Sequence, residues 1–190
     1  MNVMTGPIIT ARLTLRVLVP AAPAPEDAAL LQAYLLENRH HLAPWEPLRD
    51  DTYFSLAECE QRLLASRQSM EAGSALHFAV FITGAPDMIG ICHFSNIVRG
   101  VFQACHLGYA IAEKHEGKGY MQEAVQAGIR HMFTQQGLHR VMANHLPDNV
   151  RSAGLLQKLG FEREGYARSY LKINGRWQDH VLNALLNPEN

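Results

Sequence analysis

Apolar and polar positions along the chain change period several times, and each change marks an element. Leu13, Leu15, Val17 and Val19 alternate with Thr14, Arg16 and Leu18, the period of two that predicts a strand. Pro20-Ala-Ala-Pro23-Ala-Pro25 follows, and three prolines in six residues exclude helix interior, so a loop is expected there. From Glu26 to His41, Leu30, Leu31, Tyr34 and Leu35 share one helical face, and this helix must stop before Pro44. Ser55-Leu-Ala-Glu58 has capping-box spacing, with a hydroxyl for the third amide and a carboxylate reaching back. The helix it opens is expected to reach about Gly73, with Leu56, Leu63 and Met70 at heptad spacing. Leu76 to Thr83 and Met88 to Phe94 read as strands around a Gly84–Asp87 turn, and His106 to Ala112 as another.

The clearest helix in the chain comes next. Met121, Ala124, Val125, Gly128, Ile129, Met132 and Phe133 recur at the spacing of one helical face, with Gly137 as the stop. Leu138 to His145 predicts a strand. Asn149 is placed to cap a short helix through Leu159, ended by Gly160. Asn174-Gly175 lies between two apolar-rich runs, the signature of a two-residue hairpin turn. The order β-α-α-β-β-β-α-β-α-β-β predicts an α/β fold: a single domain over residues 1–190, with one mixed, mostly antiparallel sheet and helices on both faces.

Composition narrows the function without deciding it. Seventeen Lys and Arg against eighteen Asp and Glu leave a net charge of -1, so no overall basic excess points to DNA. Three cysteines, none at CxxC spacing, suggest neither a zinc knuckle nor a disulfide framework. The ten histidines include no HExxH pattern, and adjacent His40 and His41 would point apart on a helix, so no metal is expected. Arg12 and Arg16 interrupt the only apolar stretch near the start, and no run approaches the ~18 apolar residues of a membrane span. A soluble, cytoplasmic protein is the expectation.

The stretch that carries chemistry is Leu107-Gly-Tyr-Ala-Ile-Ala-Glu-Lys-His-Glu-Gly-Lys-Gly-Tyr-Met-Gln-Glu-Ala124, in which a strand feeds a glycine-bearing turn that opens the long helix. Amides at a helix N-terminus are unpaired and carry partial positive charge. Gly117 and Gly119 let an anion approach them, and Lys118 adds a mobile charge. The same glycines also suit a simple tight turn. A P-loop is excluded because Lys118 is followed by glycine, and the dinucleotide fingerprint lacks its third glycine.

Glu116-Gly-Lys-Gly-Tyr-Met121, with Asn149-Val-Arg-Ser152 and Lys158-Leu-Gly-Phe161, resembles the acetyl-CoA signature of the GNAT superfamily of N-acetyltransferases, and the likeness runs from Ala11 to about Leu186. Asn38–Pro47, Phe94–Gly100 and Gly175–Val181 resemble the Rim branch, RimJ type, whose members acetylate ribosomal proteins at their N-termini. The resemblance implies acetyl-CoA as co-substrate and, as partner, the N-terminal alanine of the fifth small-subunit ribosomal protein, with the small ribosomal subunit itself a further possible partner. It also implies a cofactor set of Tyr109, Ala110, Ile111, Glu116, Gly117, Lys118, Gly119, Tyr120, Met121, Asn149 and Arg151. Where the superfamily's loop begins with Gln or Arg and ends with Gly or Ala, this chain has Glu116 and Met121, so the Glu116 carboxylate must point away from a pyrophosphate. Many members place a tyrosine acid at the position of Leu156; here Ser152, one helical turn earlier, takes that part, as in the Rim branch.

An α-amine with pKa ~7.7–8 is partly neutral at pH 7, whereas a lysine amine at ~10.4 is not, so an N-terminal substrate demands only a modest base. Glu164 is the first candidate for that base and otherwise a surface carboxylate; His93 is the alternative. A backbone amide of Tyr109–Ile111, freed by a splay in the sheet, is the implied oxyanion donor. Asn149 serves as helix cap, pantetheine partner or both. Asn38, Trp45 and Tyr170 are placed on the arms Asn38–Pro47 and Tyr170–Asp179, flanking the substrate entrance, with Trp177 near the second; Trp45 equally suits a core position under a loop. A small-amine acetyltransferase and a ribosome assembly factor with incidental acetyl-CoA binding stay open as other readings.

Overall fold

A computed structural model describes residues 6–19 and 26–189. The proline-rich stretch 20–25, expected to be a loop, lies outside the described residues. One eight-stranded sheet, in the order β1-β2-β3-β4-β5-β6-β8-β7, runs through the molecule. Its strands are β1 (Ile8–Ile9), β2 (Leu13–Arg16), β3 (Leu76–Ile82), β4 (Met88–Val98), β5 (Ala104–Ile111), β6 (Arg140–His145), β7 (Glu162–Ile173) and β8 (Arg176–Leu186). Every neighbouring pair is antiparallel except β5 and β6, which are parallel. The mixed sheet with helices on both faces is the architecture expected from the element order.

The helices divide between the faces as their apolar stripes dictate. The helix α3 (Tyr120–Thr134) buries Met121, Ala124, Val125, Ile129 and Met132 against Phe78, Cys92, Phe94, Leu107 and Val141. Leu156 of α4 (Val150–Lys158) closes the same core. On the opposite face α1 (Glu26–Leu42) and α2 (Leu56–Glu71) bury Leu31, Tyr34, Leu35, Cys59 and Leu63 against Ala79, Phe81 and Met88. Among the described residues, no helix is long and apolar enough to cross a membrane.

Three details depart from the sequence pattern. The strand expected to reach Val19 ends at Arg16, because Arg16 pairs with Asp27 at 2.7 Å and the Val19 amide donates to Asp27 at 2.8 Å, turning the chain toward the first turn of α1. Ser55 caps α2 by accepting from the Glu58 amide at 3.2 Å, but its own amide donates to the Thr52 carbonyl, so the carboxylate half of the capping box is not made. β4 continues past Phe94 to Val98 because Asn96, at φ 51°, supplies a bulge that keeps it paired with β5. The Asn174-Gly175 turn, with φ of 45° and 78°, joins β7 and β8 as anticipated.

A Cβ at Gly128 would stand 2.8 Å from the Phe94 ring and 3.2 Å from the Cys92 sulfur, so α3 lies on the sheet at the distance glycine permits. Gly128→Val is therefore expected to destabilise the fold by about 1–3 kcal/mol, as overpacking does. A circular-dichroism melt checks this; an unchanged Tm would contradict the close approach.

Candidate active site

The site begins where a ladder ends. β5 and β6 pair only at Ala104↔Arg140, Cys105↔Val141 and His106↔Met142, although β5 continues to Ile111 and β6 to His145. Beyond His106 the two strands part and leave a gap in the middle of the sheet. The Ala112 amide donates to Ile89 on β4 at 2.8 Å, so by alternation Ala110 also faces β4 while Tyr109 and Ile111 turn their backbone groups to the gap. The backbone groups of the expected trio therefore divide: two members border the gap, and Ala110 belongs to the β4 ladder.

Across the gap stands α4. The Asn149 side chain accepts from the Ser152 amide at 3.0 Å and caps the helix. That cap fixes the first turn, and the Ser152 hydroxyl meets the Tyr109 hydroxyl at 2.6 Å. Burial pushes the Tyr109 phenol up to about 12, against the opposing pull of its bond to Ser152, so it remains a protonated hydroxyl in the neutral range. A separation of 43 positions kept this pairing out of reach of sequence periodicity.

The strand then enters the glycine turn. A short 3-10 turn, Glu113–His115, precedes Glu116, and Gly119 at φ 76° is the N-cap of α3, with no side chain bonded to the helix's free amides. These amides stay open because the flanking side chains are held elsewhere. Glu116 pairs with His41 at 3.2 Å and with Arg151, so its carboxylate is turned to the ends of α1 and α4. Lys118 donates from Nζ to the Lys114 carbonyl at 2.7 Å, and its own carbonyl accepts from Arg12 at 3.0 Å. Arg12, which the sequence reading missed, also bonds Glu123 of α3 at 2.6 Å and lies 4.7 Å over the Tyr120 ring. Met121 is a core residue at 7% exposure, leaving only its backbone to the turn. A Cβ at Gly119 would reach Arg12 at 3.4 Å in a left-handed backbone, so the turn is built around glycine.

The remaining candidates lie on the α1–α2 face. Glu164 sits at a bulge of β7, and its Oε2 accepts from Arg140 at 2.7 Å. Burial of Val141, Ala143 and His145 on the α3 face puts Arg140, and with it Glu164, on the opposite one. Asn38 is 2% exposed, donating to the Tyr34 carbonyl at 2.8 Å and accepting from the Glu113 amide at 3.0 Å. It is thus a tether between α1 and the glycine turn rather than a wall of the entrance, a correction to the expectation drawn from its segment. Trp45 lies half-buried in a 3-10 turn after α1, and Tyr170 is partly exposed on a second β7 bulge, its ring 5.6 Å from His180. The two arms meet: the Asn174 amide donates to the Glu46 carbonyl at 2.8 Å.

Comparison with known proteins identifies the family. Residues 12–162 match the family model described as an acetyltransferase (GNAT) domain. The chain is 48% identical over 178 residues to the [ribosomal protein uS5]-alanine N-acetyltransferase of Escherichia coli K12, covering 94% of this chain and 92% of that one. The crystal structure of a ribosomal-protein-S5-alanine acetyltransferase from Vibrio fischeri superposes with a TM-score of 0.89 at 38% identity, over 97% of this chain and 98% of that one. Mycobacterium smegmatis RimJ in complex with CoA-disulfide superposes at 0.86 and 29% identity, over 97% and 87%. The chain therefore belongs to the GNAT family of acetyltransferases.

Proposed function

We propose that this enzyme transfers the acetyl group of acetyl-CoA to the α-amine of a protein that begins with alanine, the ribosomal protein uS5. The observation that carries the chemistry is the gap beyond His106, lined by backbone groups of Tyr109 and Ile111 and faced by the Ser152 hydroxyl. The likeness to uS5-alanine acetyltransferases over nearly the whole chain supports the substrate class, and the CoA complex of a structural neighbour supports the donor.

Each part then has a physical task. The amides that open α3 at Gly119 to Met121 suit a pyrophosphate, since they are unpaired and no carboxylate points at them. Tyr109 and Ile111 extend the sheet to the pantetheine arm as a strand would. The amide of one of them stabilises the oxyanion as the amine adds to the thioester carbonyl. Ser152 gives its proton to the departing sulfur, and Tyr109, protonated and 2.6 Å away, can replace it. Glu164, with Oε1 free of any described partner, holds the incoming ammonium on the opposite face. Trp45 and Tyr170 flank the path, with the arms joined at Glu46 and Asn174. A small-amine substrate would call for a dense acidic groove, whereas the carboxylate placed here is paired with Arg140.

Three outcomes follow from this reading. Gly119→Val should weaken CoA binding severely, because a β-branched residue is strained at that backbone and blocks the amides; equal affinities by calorimetry would contradict the phosphate site. Ser152→Ala should lower turnover about 10²-fold with CoA affinity nearly kept, as for loss of one general acid, and turnover within twofold of wild type would remove Ser152 from the mechanism. An alanine-started peptide should be acetylated at a rate that climbs with pH toward ~8 as the α-amine loses its proton, while its N-blocked, lysine-containing twin should not react; mass spectrometry showing both acetylated equally would sink the reading.

A further inference from the structure

The face of the sheet opposite Ser152 carries a row of polar side chains that the acid and the glycine turn do not use. His93 on β4 lies opposite Gly108 on β5, and His77 on β3 lies opposite His93. The His77 and His93 rings stack with centroids 4.4 Å apart. His77 is pinned at both nitrogens, Nδ1 to the Ser66 hydroxyl at 2.8 Å and Nε2 to the Ser95 hydroxyl at 3.1 Å. His93 is half-buried, and neither of its nitrogens bonds a described residue. Nothing stands within 4 Å of where a Cβ of Gly108 would be, and Gly108 is exposed although it lies in a central strand. His106, two residues before it on the same face, leaves Nδ1 buried without a partner.

We propose that His93 receives the proton of the attacking α-amine, and that the open space above Gly108 is the slot in which that amine sits. The inference rests on the acetyltransferase reading above and adds the group that reading lacked. Paired positions of neighbouring antiparallel strands are only ~4.5–5.5 Å apart. Only Gly108, which has no side chain, therefore separates the position of His93 from the far edge of β5, which is the gap. The next residue, Tyr109, projects to the other face and touches Ser152. Amine and base are thus on one face of the sheet and the acid on the other. The amine nitrogen forms its bond to the acetyl carbon from the His93 side. The carbon–sulfur bond breaks toward Ser152. The amine proton passes to the imidazole and the serine proton to the sulfur, leaving an amide, a thiol, an imidazolium and a serine alkoxide, and water carries the imidazolium's proton back to the serine.

The surroundings keep the ring unprotonated before the amine arrives. Burial first, then His77 and the Arg62 guanidinium of α2, hold the His93 imidazole well below its usual range, so the ring is neutral wherever the α-amine reacts. His106 on β5 is shifted the same way by burial. Beyond Arg62, Tyr53 and Tyr34 are pushed up by burial, and the carboxylate there, Glu46, lies beside Arg49 and Arg62. Glu164, by contrast, already accepts a hydrogen bond from Arg140. Its part is to draw the ammonium in, and the proton goes to the unengaged imidazole. His77, stacked on His93 and fixed by two hydroxyls, is a positioning residue.

The test compares wild type with His93→Gln on an alanine-started peptide. Turnover should fall about 10²-fold, as for loss of a general base, with CoA affinity by calorimetry within twofold, and added imidazole should recover part of the rate through the slot. His93→Gln turning over within twofold of wild type would overturn the proposal, as would a slow variant that imidazole fails to rescue. Should that variant not fold, the wild-type protein decides: nitrogen NMR of labelled histidines should show His93 as a neutral ring at pH 6 whose signals move when peptide and CoA are added. A charged ring, or signals that stay in place, would refute the assignment. A wild type that leaves the peptide unacetylated would defeat the acetyltransferase substrate itself, which separates that failure from a misplaced base.

Discussion

The loss of strand pairing after His106 and Met142 is the constraint on which the rest of the structure depends. A central strand that stops pairing leaves amide and carbonyl groups without partners, a cost that folded proteins rarely carry. Here the cost is local: β5 remains bonded to β4 along its whole length, and β6 remains bonded to β8. The gap is therefore held open by two intact half-sheets rather than by a mobile loop. It presents a fixed row of backbone groups to whatever enters, and preorganised donors of that kind are the ones that stabilise developing charge.

Around the gap, ion pairs do the work of orientation. Arg12 joins the start of the sheet to Lys118 and Glu123, so the glycine turn is gripped from the far edge. Glu116 joins that turn to α1 through His41 and to α4 through Arg151. The carboxylate that looked like an obstacle to an anion is consumed by its neighbours. Asn38 adds a further tie, through the Glu113 amide. The turn can leave the amides of α3 uncapped because its shape is set by contacts at both ends and not by a side chain over the helix.

Much of this was legible from periodicity. The run from Met121 to Met132 places α3 against the sheet, and Asn174-Gly175 places the last hairpin, because each depends on neighbours a few residues away. Asn149 was identifiable for the same reason, because a cap is a local feature, whereas Ser152 came from the resemblance to the Rim branch. What stayed hidden is long-range. Nothing near Tyr109 announces Ser152, nothing near Glu164 announces Arg140, and nothing near Asn38, expected at the substrate entrance, announces its bond to the Glu113 amide. The two-residue β1 is too short to carry a period at all. Glu58 shows the opposite error: a motif was present in the sequence, but Thr52 had already taken the amide it would have capped.

The contact between the arms, from the Asn174 amide to the Glu46 carbonyl, joins main chain to main chain. No side chain takes part in it, apart from the turn that lets Asn174 and Gly175 adopt positive φ. The link between the two arms is thus insulated from changes in the side chains that the arms carry. Trp45, Tyr170 and Trp177, all carried on these arms, can be exchanged for other shapes while that link persists. The join and the side chains around it are separate inheritances in this fold, so what the arms present can change without the join first having to be rebuilt.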